Sequence, residues 1–243
     1  MWLVFICIVC DIVYGILDFT MKKMSHFFKT TQGQFVGSLG IIIVLLFAYY
    51  FYATTTNPTI VAPTEITISN TDHVRGAKDG VVTLVEFADF QCPACAAWSP
   101  MVQQVLNDNK DTLKVVFRNF PLTQIHRNAL PAAKAAEAAA LQGKFWEMHD
   151  ILYQKQDEWS GVPNTKNLFL TYATTIGLDT KKFLVDIESK AIEDKILAEL
   201  KEGVRLGVQG TPSFFLNGQK LEGITNLASF NKAIKDAVTA AKK

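Results

Sequence analysis

Hydrophobic residues are distributed in two different ways along this chain. Between Thr30 and Thr64 there is no charged residue, and within that stretch Phe35 to Tyr52 is predominantly apolar. A run of this length is about long enough to cross the ~30 Å hydrocarbon core of a bilayer. After Thr64 the apolar residues come in short runs and in helical periods, separated by turn residues. The pattern therefore predicts a transmembrane anchor over residues 35–53, followed by a folded domain.

The residues that flank this anchor predict which side of the membrane the domain occupies. Lys22, Lys23 and Lys29 precede the anchor, and a cluster of aromatic residues ends it at Tyr52. Positive charge favours the cytoplasmic side, and tyrosines are enriched where a helix meets the membrane surface. We therefore expect a single-pass protein of the cell membrane with its folded domain on the extracytoplasmic side. A cleaved signal peptide is the alternative, but the run is long for one and no clear cleavage site follows it.

Residues 1–34 form a short segment ahead of the anchor. Its first part, Met1 to Leu17, is apolar but contains an aspartate and has no initial positive charge. Either it inserts as an extra apolar helix, or the natural start lies at Met21 or Met24. The two cysteines of this run lack a helix start or a nearby charge that stabilises a thiolate, so we do not expect a second redox centre there.

The remaining pattern predicts the order of elements in the folded part. Residues 54–69 are expected to be a tether that ends in an edge strand at Glu65 to Ser69. Residues 70–243 are expected to form one α/β domain, in which strand–helix–strand is followed by a helical insertion over about 125–207. A hairpin around the turn Asn217-Gly218 and a C-terminal helix complete the domain.

Composition narrows the classes of function. The 243 residues are 49% hydrophobic, which is enough for one well-buried domain and a membrane segment. The formal net charge is +1, and no stripe of Lys and Arg alternates with aromatic residues. We therefore expect no nucleic-acid partner.

The motif Cys92-Pro93-Ala94-Cys95 lies where a strand-like run ends and a helix-like run begins. Cysteines three positions apart in the first turn of a helix share one face, and the unpaired N–H groups there favour a thiolate. The alternative is half of a structural zinc site, which needs a second pair of ligands at recognisable spacing. Beyond residue 53 there is no other cysteine, and the three histidines are far apart in sequence. The motif therefore favours a redox site in which Cys92 attacks and Cys95 resolves, and we expect no bound metal.

Glu86 is placed six residues before the first cysteine of this motif. It lies in the run from Val81 to Phe87, which is β-branched and nearly all apolar, as in a central strand that is covered on both faces. Burial without a partner disfavours the charged form of a carboxyl group and raises its pKa. Glu86 can therefore relay a proton to or from Cys95. The alternative is that Glu86 faces outward.

The order of elements resembles the thioredoxin fold with a helical insertion, as found in DsbA-like thiol:disulfide oxidoreductases. The resemblance covers roughly residues 70 to 240 and rests on four features: Glu86, the Cys92-Pro93-Ala94-Cys95 motif, the helical insertion, and Gly210-Thr211-Pro212 before the hairpin. In that family the proline matching Pro212 is cis and faces the cysteines, and the acid matching Glu86 relays the proton. A cis bond there turns the backbone of Thr211 toward an extended substrate, which pairs like an added strand. The dipeptide matching Pro93-Ala94 tunes the redox potential, and the histidine of the most oxidising members is absent here.

The resemblance implies that the domain introduces disulfides into exported proteins that carry free thiols. A quinone-linked membrane reoxidase of the DsbB or VKOR type is the implied partner, and no cofactor is implied. Two alternatives stay open. One is a reductase or isomerase of the same fold, because Pro93-Ala94 does not fix the direction of electron flow. The other is a non-catalytic binding or scaffold module.

Overall fold

The computed structural model describes residues 43–50 and 66–241. The chain separates into two compact units, Met1–Thr56 and Asn57–Lys243. In the first unit residues 43–50 are helical, while the rest of the predicted anchor and the segment that contains Cys7 and Cys10 lie outside the described residues. No helix within the described ranges is long and apolar enough to cross a membrane.

A five-stranded sheet forms the centre of the second unit. Its strands are β1 (His73–Gly76), β2 (Val82–Ala88), β3 (Leu113–Asn119), β4 (Ser213–Leu216) and β5 (Gln219–Leu221). They lie in the order β1-β3-β2-β4-β5. The central strand β2 runs parallel to β3 and antiparallel to β4. Its position explains its nearly continuous apolar sequence, because both faces and both edges are covered.

Eight helices within residues 66–241 cover the sheet or pack beside it. They are α1 (Pro93–Asp108), α2 (Ala129–Ala140), α3 (Phe145–Gln154), α4 (Gln156–Trp159), α5 (Lys166–Thr175), α6 (Thr180–Asp186), α7 (Lys190–Arg205) and α8 (Leu227–Ala241). Helices α2 to α7 are inserted between β3 and β4. The Ala-rich helix α2 allows close packing within this insertion, whose core also holds Trp159, Phe169 and Phe183.

Alternation along β2 assigns its side chains to two layers. Val82 and Leu84 pack with apolar residues of α1 and α8. Val85 and Phe87 pack on the opposite face, with Phe120 and with residues that follow α7. Successive strand residues face opposite sides, so Glu86 shares the face of Val82 and Leu84. The carboxyl group therefore lies on the side of the sheet that α1 covers.

The predicted edge strand at Glu65 to Ser69 is wrong over the residues that the structure describes, because residues 66–69 are not a strand. The edge strand is β1, which pairs antiparallel with β3. Ile66 and Ile68 alternate because they pack against the core beneath α7. The backbone carbonyl of Thr67 accepts a hydrogen bond from Arg118 at 2.8 Å, a side-chain bond in place of a strand pairing.

The hairpin turn lies where the sequence predicts it. Asn217 has φ 49° and Gly218 has φ 79°, the left-handed backbone that a tight two-residue turn requires. The turn brings β5 back along β4. The pairing of β4 with β2 places the start of β4, which follows Thr211 and Pro212, beside the end of β2.

Candidate active site

Cys92 caps the amino terminus of α1. Its backbone is extended, with φ −70° and ψ 121°, and Pro93 occupies the first helical position. The backbone N–H of Cys92 donates to the carbonyl of Asp89 at 3.1 Å. Cys92 is 7% exposed and Cys95 is fully buried, while Pro93 and Ala94 are exposed to solvent. Both cysteines are free thiols, and only the first is reachable from outside.

The surroundings of the two thiols have opposite effects on their acidity. The Cys95 thiol donates a hydrogen bond to Cys92, and with the backbone N–H groups of Cys95 and Ala94 this lowers the pKa of Cys92 to about 5, despite partial burial. Burial raises the pKa of Cys95 far above its usual value, and the hydrogen bond with Cys92 and the charge of Glu86 act in the same direction. At neutral pH Cys92 is therefore a thiolate and Cys95 a thiol.

The loop before β4 faces the first cysteine. The peptide bond between Thr211 and Pro212 is cis. In its thiol form Cys92 donates a hydrogen bond from Sγ to the backbone carbonyl of Thr211, 3.4 Å away. The Ser213 hydroxyl donates to the carbonyl of Gly210 at 2.7 Å and closes this loop. Thr211 and Pro212 are both partly exposed, so the backbone beside Cys92 is open to a second chain.

Glu86 is only 3% exposed, and the alternative of an outward-facing side chain is excluded. Burial raises the pKa of Glu86 to about 8. The carboxyl group lies close enough to Cys95 for its charge to raise the pKa of that thiol. It also lines a cleft of about 380 Å³ between α1 and α3, together with His149, Asp150 and Tyr153. Glu86 is therefore placed between the buried thiol and a cleft whose lining includes polar side chains.

Asp89, which sequence reasoning missed, organises the loop between β2 and α1. It is 1% exposed. Its carboxylate accepts hydrogen bonds from the backbone N–H of Gln91 at 2.7 Å and of Leu122 at 3.0 Å. His126 Nδ1 lies 2.6 Å from the same carboxylate. Asp89 thus ties the cysteine loop to the segment that follows β3. A polar residue between a buried strand and a C-x-x-C motif was the available signal for Asp89, whereas nothing in the sequence pairs it with His126.

No group of three or more His, Cys, Asp or Glu side chains in residues 43–50 and 66–241 is arranged to hold a metal ion. The arrangement at the end of β2 instead brings together an acidic thiol, a buried thiol, a buried carboxyl group and an open backbone edge. These are the groups needed for dithiol–disulfide exchange.

A family model described as thioredoxin matches residues 68–236. The chain belongs to the thioredoxin family. A thioredoxin-like oxidoreductase from Silicibacter pomeroyi DSS-3 is 28% identical with a TM-score of 0.59, and the match covers 72% of this chain and 94% of that one. The thiol-disulfide exchange protein alpha-DsbA2 from Wolbachia pipientis is 27% identical with a TM-score of 0.60, over 69% of this chain and 88% of that one. Within the thioredoxin family the chain is therefore of the DsbA-like thiol:disulfide oxidoreductase type, and the predicted fold with its helical insertion is confirmed.

Some relatives of this thioredoxin-family chain are longer proteins. The Na(+)/H(+) antiporter NhaA 3 of Salinispora tropica is 39% identical over 171 residues, which are 70% of this chain and 25% of the antiporter. The Na(+)/H(+) antiporter NhaA 1 of Salinispora arenicola is 37% identical over 166 residues, which are 24% of its length. The chain thus spans about a quarter of the length of these curated relatives.

Proposed function

We propose that the chain is a membrane-anchored thiol:disulfide oxidoreductase that introduces disulfides into exported proteins on the extracytoplasmic side. The observation that carries this proposal is that the two thiols differ in acidity and exposure. Cys92 has a lowered pKa and is partly reachable from solvent, whereas Cys95 is buried and protonated. The similarity to the antiporters covers a quarter of their length, so the transport activity in their name is not carried over to this chain.

The acidity of Cys92 supports the direction of electron flow. A thiolate that is stabilised in the folded protein stabilises the reduced form and makes the disulfide a stronger oxidant. The pKa of Cys92, about 5, lies below the value of about 7 for thioredoxin and above the value of about 3.5 for the strong oxidant DsbA. This favours oxidation of substrates over their reduction.

The reaction proceeds by two thiol–disulfide exchanges. A substrate thiolate attacks Sγ of Cys92 in the disulfide, the Cys92–Cys95 bond breaks, and Cys95 leaves with the electron pair. The second substrate thiolate then attacks the substrate sulfur of the mixed disulfide, and Cys92 leaves as a thiolate. The substrate loses two electrons and gains a disulfide, and the enzyme is left as the dithiol.

Glu86 supplies the proton that the first of these two exchange steps requires. Cys95 leaves as a thiolate in a buried site where its pKa is far above neutral, so it must be protonated as it leaves. Glu86 carries a proton near neutral pH because burial raises its pKa to about 8. The cleft that it lines gives a path along which the carboxyl group regains its proton from solvent.

The substrate lies along the loop before β4. Its extended backbone pairs with that of Thr211, beside the cis peptide bond to Pro212 and next to Cys92. Such recognition uses backbone groups, so it is tolerant of the substrate sequence. Exported proteins with free thiols are the substrates that fit.

The location and the partner rest on the N-terminal sequence and on the family. The uncharged stretch over residues 35–53, preceded by lysines, supports an anchor with the domain outside the cytoplasm. Reduced enzyme passes its two electrons to a membrane reoxidase of the DsbB or VKOR type, which is the partner that the DsbA-like family implies.

Disulfide transfer to a peptide with two thiols tests the activity. Oxidised wild-type protein is expected to yield one oxidised peptide per protein, and Cys92→Ser is expected to yield none. Cys95→Ser cannot form the Cys92–Cys95 disulfide and is also expected to yield none. When it is mixed instead with the disulfide form of the peptide, its Cys92 thiolate is expected to attack that disulfide and to remain in a mixed disulfide, because the Cys95 thiol that would release it is missing. Equal peptide oxidation by wild type and Cys92→Ser would instead identify a non-catalytic module.

Accessibility of the thiols in intact cells tests the location. In the full chain carrying Cys7→Ser and Cys10→Ser, a membrane-impermeant maleimide is expected to label Cys92 after reduction, without lysis of the cells. Labelling that occurs only after lysis would place the domain in the cytoplasm and overturn the extracytoplasmic assignment.

A further inference from the structure

Gln156, at the start of α4, reaches from the helical insertion to the cysteine loop. Its side chain is buried, with 8% of the residue exposed. The single nitrogen Nε2 donates to the carbonyl of Phe90 at 2.7 Å and to the carbonyl of Cys92 at 3.0 Å. Both amide protons of Gln156 are therefore hydrogen-bonded, one to the carbonyl of the residue before Gln91 and one to the carbonyl of the residue after it.

One of these two carbonyl groups, that of Cys92, belongs to the first turn of α1. The Cys92 carbonyl also accepts the backbone N–H of Ala96 at 3.1 Å, which is the first hydrogen bond of the helix. The orientation of this first turn decides how the N–H groups of Ala94 and Cys95 point at the Cys92 sulfur. Gln156 thus holds the peptide group from which the first turn starts.

The segment that carries Gln156 is itself fixed to the cysteine loop. The Gln91 side chain donates to the carbonyl of Ser160 at 2.8 Å and accepts from the backbone N–H of Asn128 at 2.6 Å. Asn128 Nδ2 in turn donates to the carbonyl of Val162 at 2.9 Å. Three amide side chains, of Gln91, Asn128 and Gln156, therefore connect the cysteine loop to the segment of residues 156–162, and none of the three is charged.

We propose that Gln156 is a positioning residue through which the helical insertion sets the reactivity of the Cys92 thiol. It acts by holding the carbonyls of Phe90 and Cys92, and it touches neither substrate nor sulfur. The inference rests on the proposed function for its biological role. Its test does not, because the reactivity of Cys92 can be measured whether the enzyme oxidises or reduces its substrates.

The substitution Gln156→Met tests this role, since methionine keeps much of the length of the side chain and removes both donors. The Cys92 pKa, measured from the pH dependence of its alkylation rate, is expected to rise by about one unit, a tenfold change in acidity. The equilibrium constant with glutathione is expected to shift by a similar factor toward a less oxidising disulfide. The matched control is Gln104→Met, an exposed glutamine in the second half of α1 that does not line the cleft beside Glu86, and it is expected to leave both quantities unchanged.

A general loss of stability is separated from positioning by Ile196→Val. This change removes one buried methyl group from the core and leaves the three amide side chains in place. It is expected to lower stability without moving the Cys92 pKa. If Gln156→Met lowered stability and left the pKa and the glutathione equilibrium at the wild-type values, its role would be structural only and the proposal would be wrong.

A measurement on the wild-type protein covers the case in which Gln156→Met does not fold. The side-chain amide protons of Gln156 are expected to exchange slowly with solvent and to shift in the NMR spectrum when the Cys92–Cys95 disulfide is reduced. Rapid exchange together with no shift would overturn the proposal. Absence of disulfide transfer by the wild-type protein would instead reject the proposed function and leave the comparison of Cys92 pKa values intact.

Discussion

Glu86 shows how the position of one residue in a strand determines its chemistry. It shares a face of β2 with Val82 and Leu84, so its carboxyl group lies on the side that α1 covers. Burial raises its pKa to about 8. The charged form is thus unfavourable in the folded protein and is available in the unfolded chain.

Replacing Glu86 with glutamine is expected to stabilise the protein at alkaline pH. The folded pKa is raised above its unfolded value, so wild-type stability is lost as pH rises from about 4.5 to about 8. Glu86→Gln removes this loss, and its advantage is expected to be near zero at pH 4 and on the order of 4 kcal/mol at pH 8. Urea denaturation of both proteins across this pH range measures the difference.

The exposed carboxyl group of Glu222 provides the control for this comparison. Glu222→Gln is expected to change stability little, because the substitution alters only an exposed side chain at the surface. A stability difference between Glu86→Gln and wild type that did not vary with pH would contradict the assignment of Glu86 as a buried proton donor.

The sequence made some residues of the site predictable and hid others. Cys92, Cys95, Pro212 and Glu86 were identified because a short motif or an apolar strand surrounds each of them. Gln156 could not be found in this way, because its partners are backbone carbonyl groups far away in sequence. A hydrogen bond that closes only in the folded chain leaves no local pattern.

At the level of elements, the close approach of α7 to the sheet depends on a glycine. A Cβ atom added at Gly203 would lie 2.6 Å from Cδ2 of Phe120 and 3.0 Å from Cδ1 of Phe87. The aromatic rings of Phe87 and Phe120 pack edge to face, 6.4 Å apart between centroids. The helix can therefore approach the sheet only where it has no side chain.

Gly203→Ala is expected to destabilise the protein, although alanine is the better helix former by about 1 kcal/mol. The overpacking of two buried rings costs about 1–3 kcal/mol and is expected to exceed this gain. Thermal or urea unfolding measures the result. Gly161→Ala is the matched control, because no atom lies within 4 Å of its added Cβ. If Gly203→Ala were more stable than wild type, the two rings would move aside at little cost and the prediction would be wrong.

Elements differ in how well their sequence pattern predicts them. β2 was predicted because it is covered on both faces, and the hairpin because Asn217-Gly218 suits a tight turn. The edge strand was misplaced because Ile66 and Ile68 alternate like a strand while pairing with no neighbour. The actual strand β1 has the sequence His-Val-Arg-Gly, in which alternation is too short to recognise.

For the whole molecule, the acidity of Cys92 predicts that the reduced protein is more stable than the oxidised one at pH 7. The folded pKa, about 5, is lowered from an unfolded value of about 8.5. The contribution of this thiolate to the free energy of unfolding is therefore fully present above about pH 8.5 and is lost as pH falls through about 5.

Urea unfolding of both redox forms between pH 4 and pH 8 measures this contribution. The reduced form is expected to have the larger free energy of unfolding, by an amount that decreases as the pH falls. An advantage of the oxidised form at pH 7 would indicate a structural disulfide.

The overall architecture was predictable because the order of strands and helices is a long-range pattern that tolerates local errors. Strand–helix–strand, a helical insertion, and a hairpin with a final helix are each visible as changes of hydrophobic period. The contacts that link the insertion to the cysteine loop, such as those of Asp89 with His126, join segments that are distant in sequence. They emerge only when the fold brings the segments together.

The redox potential of the Cys92–Cys95 pair tests the central claim most directly. It is measured from the equilibrium of the full chain with reduced and oxidised glutathione at pH 7. We expect a value closer to that of the strong oxidant DsbA, about −120 mV, than to that of thioredoxin, about −270 mV. A value at or below that of thioredoxin would contradict the assignment as an oxidase and favour a reductase of the same fold.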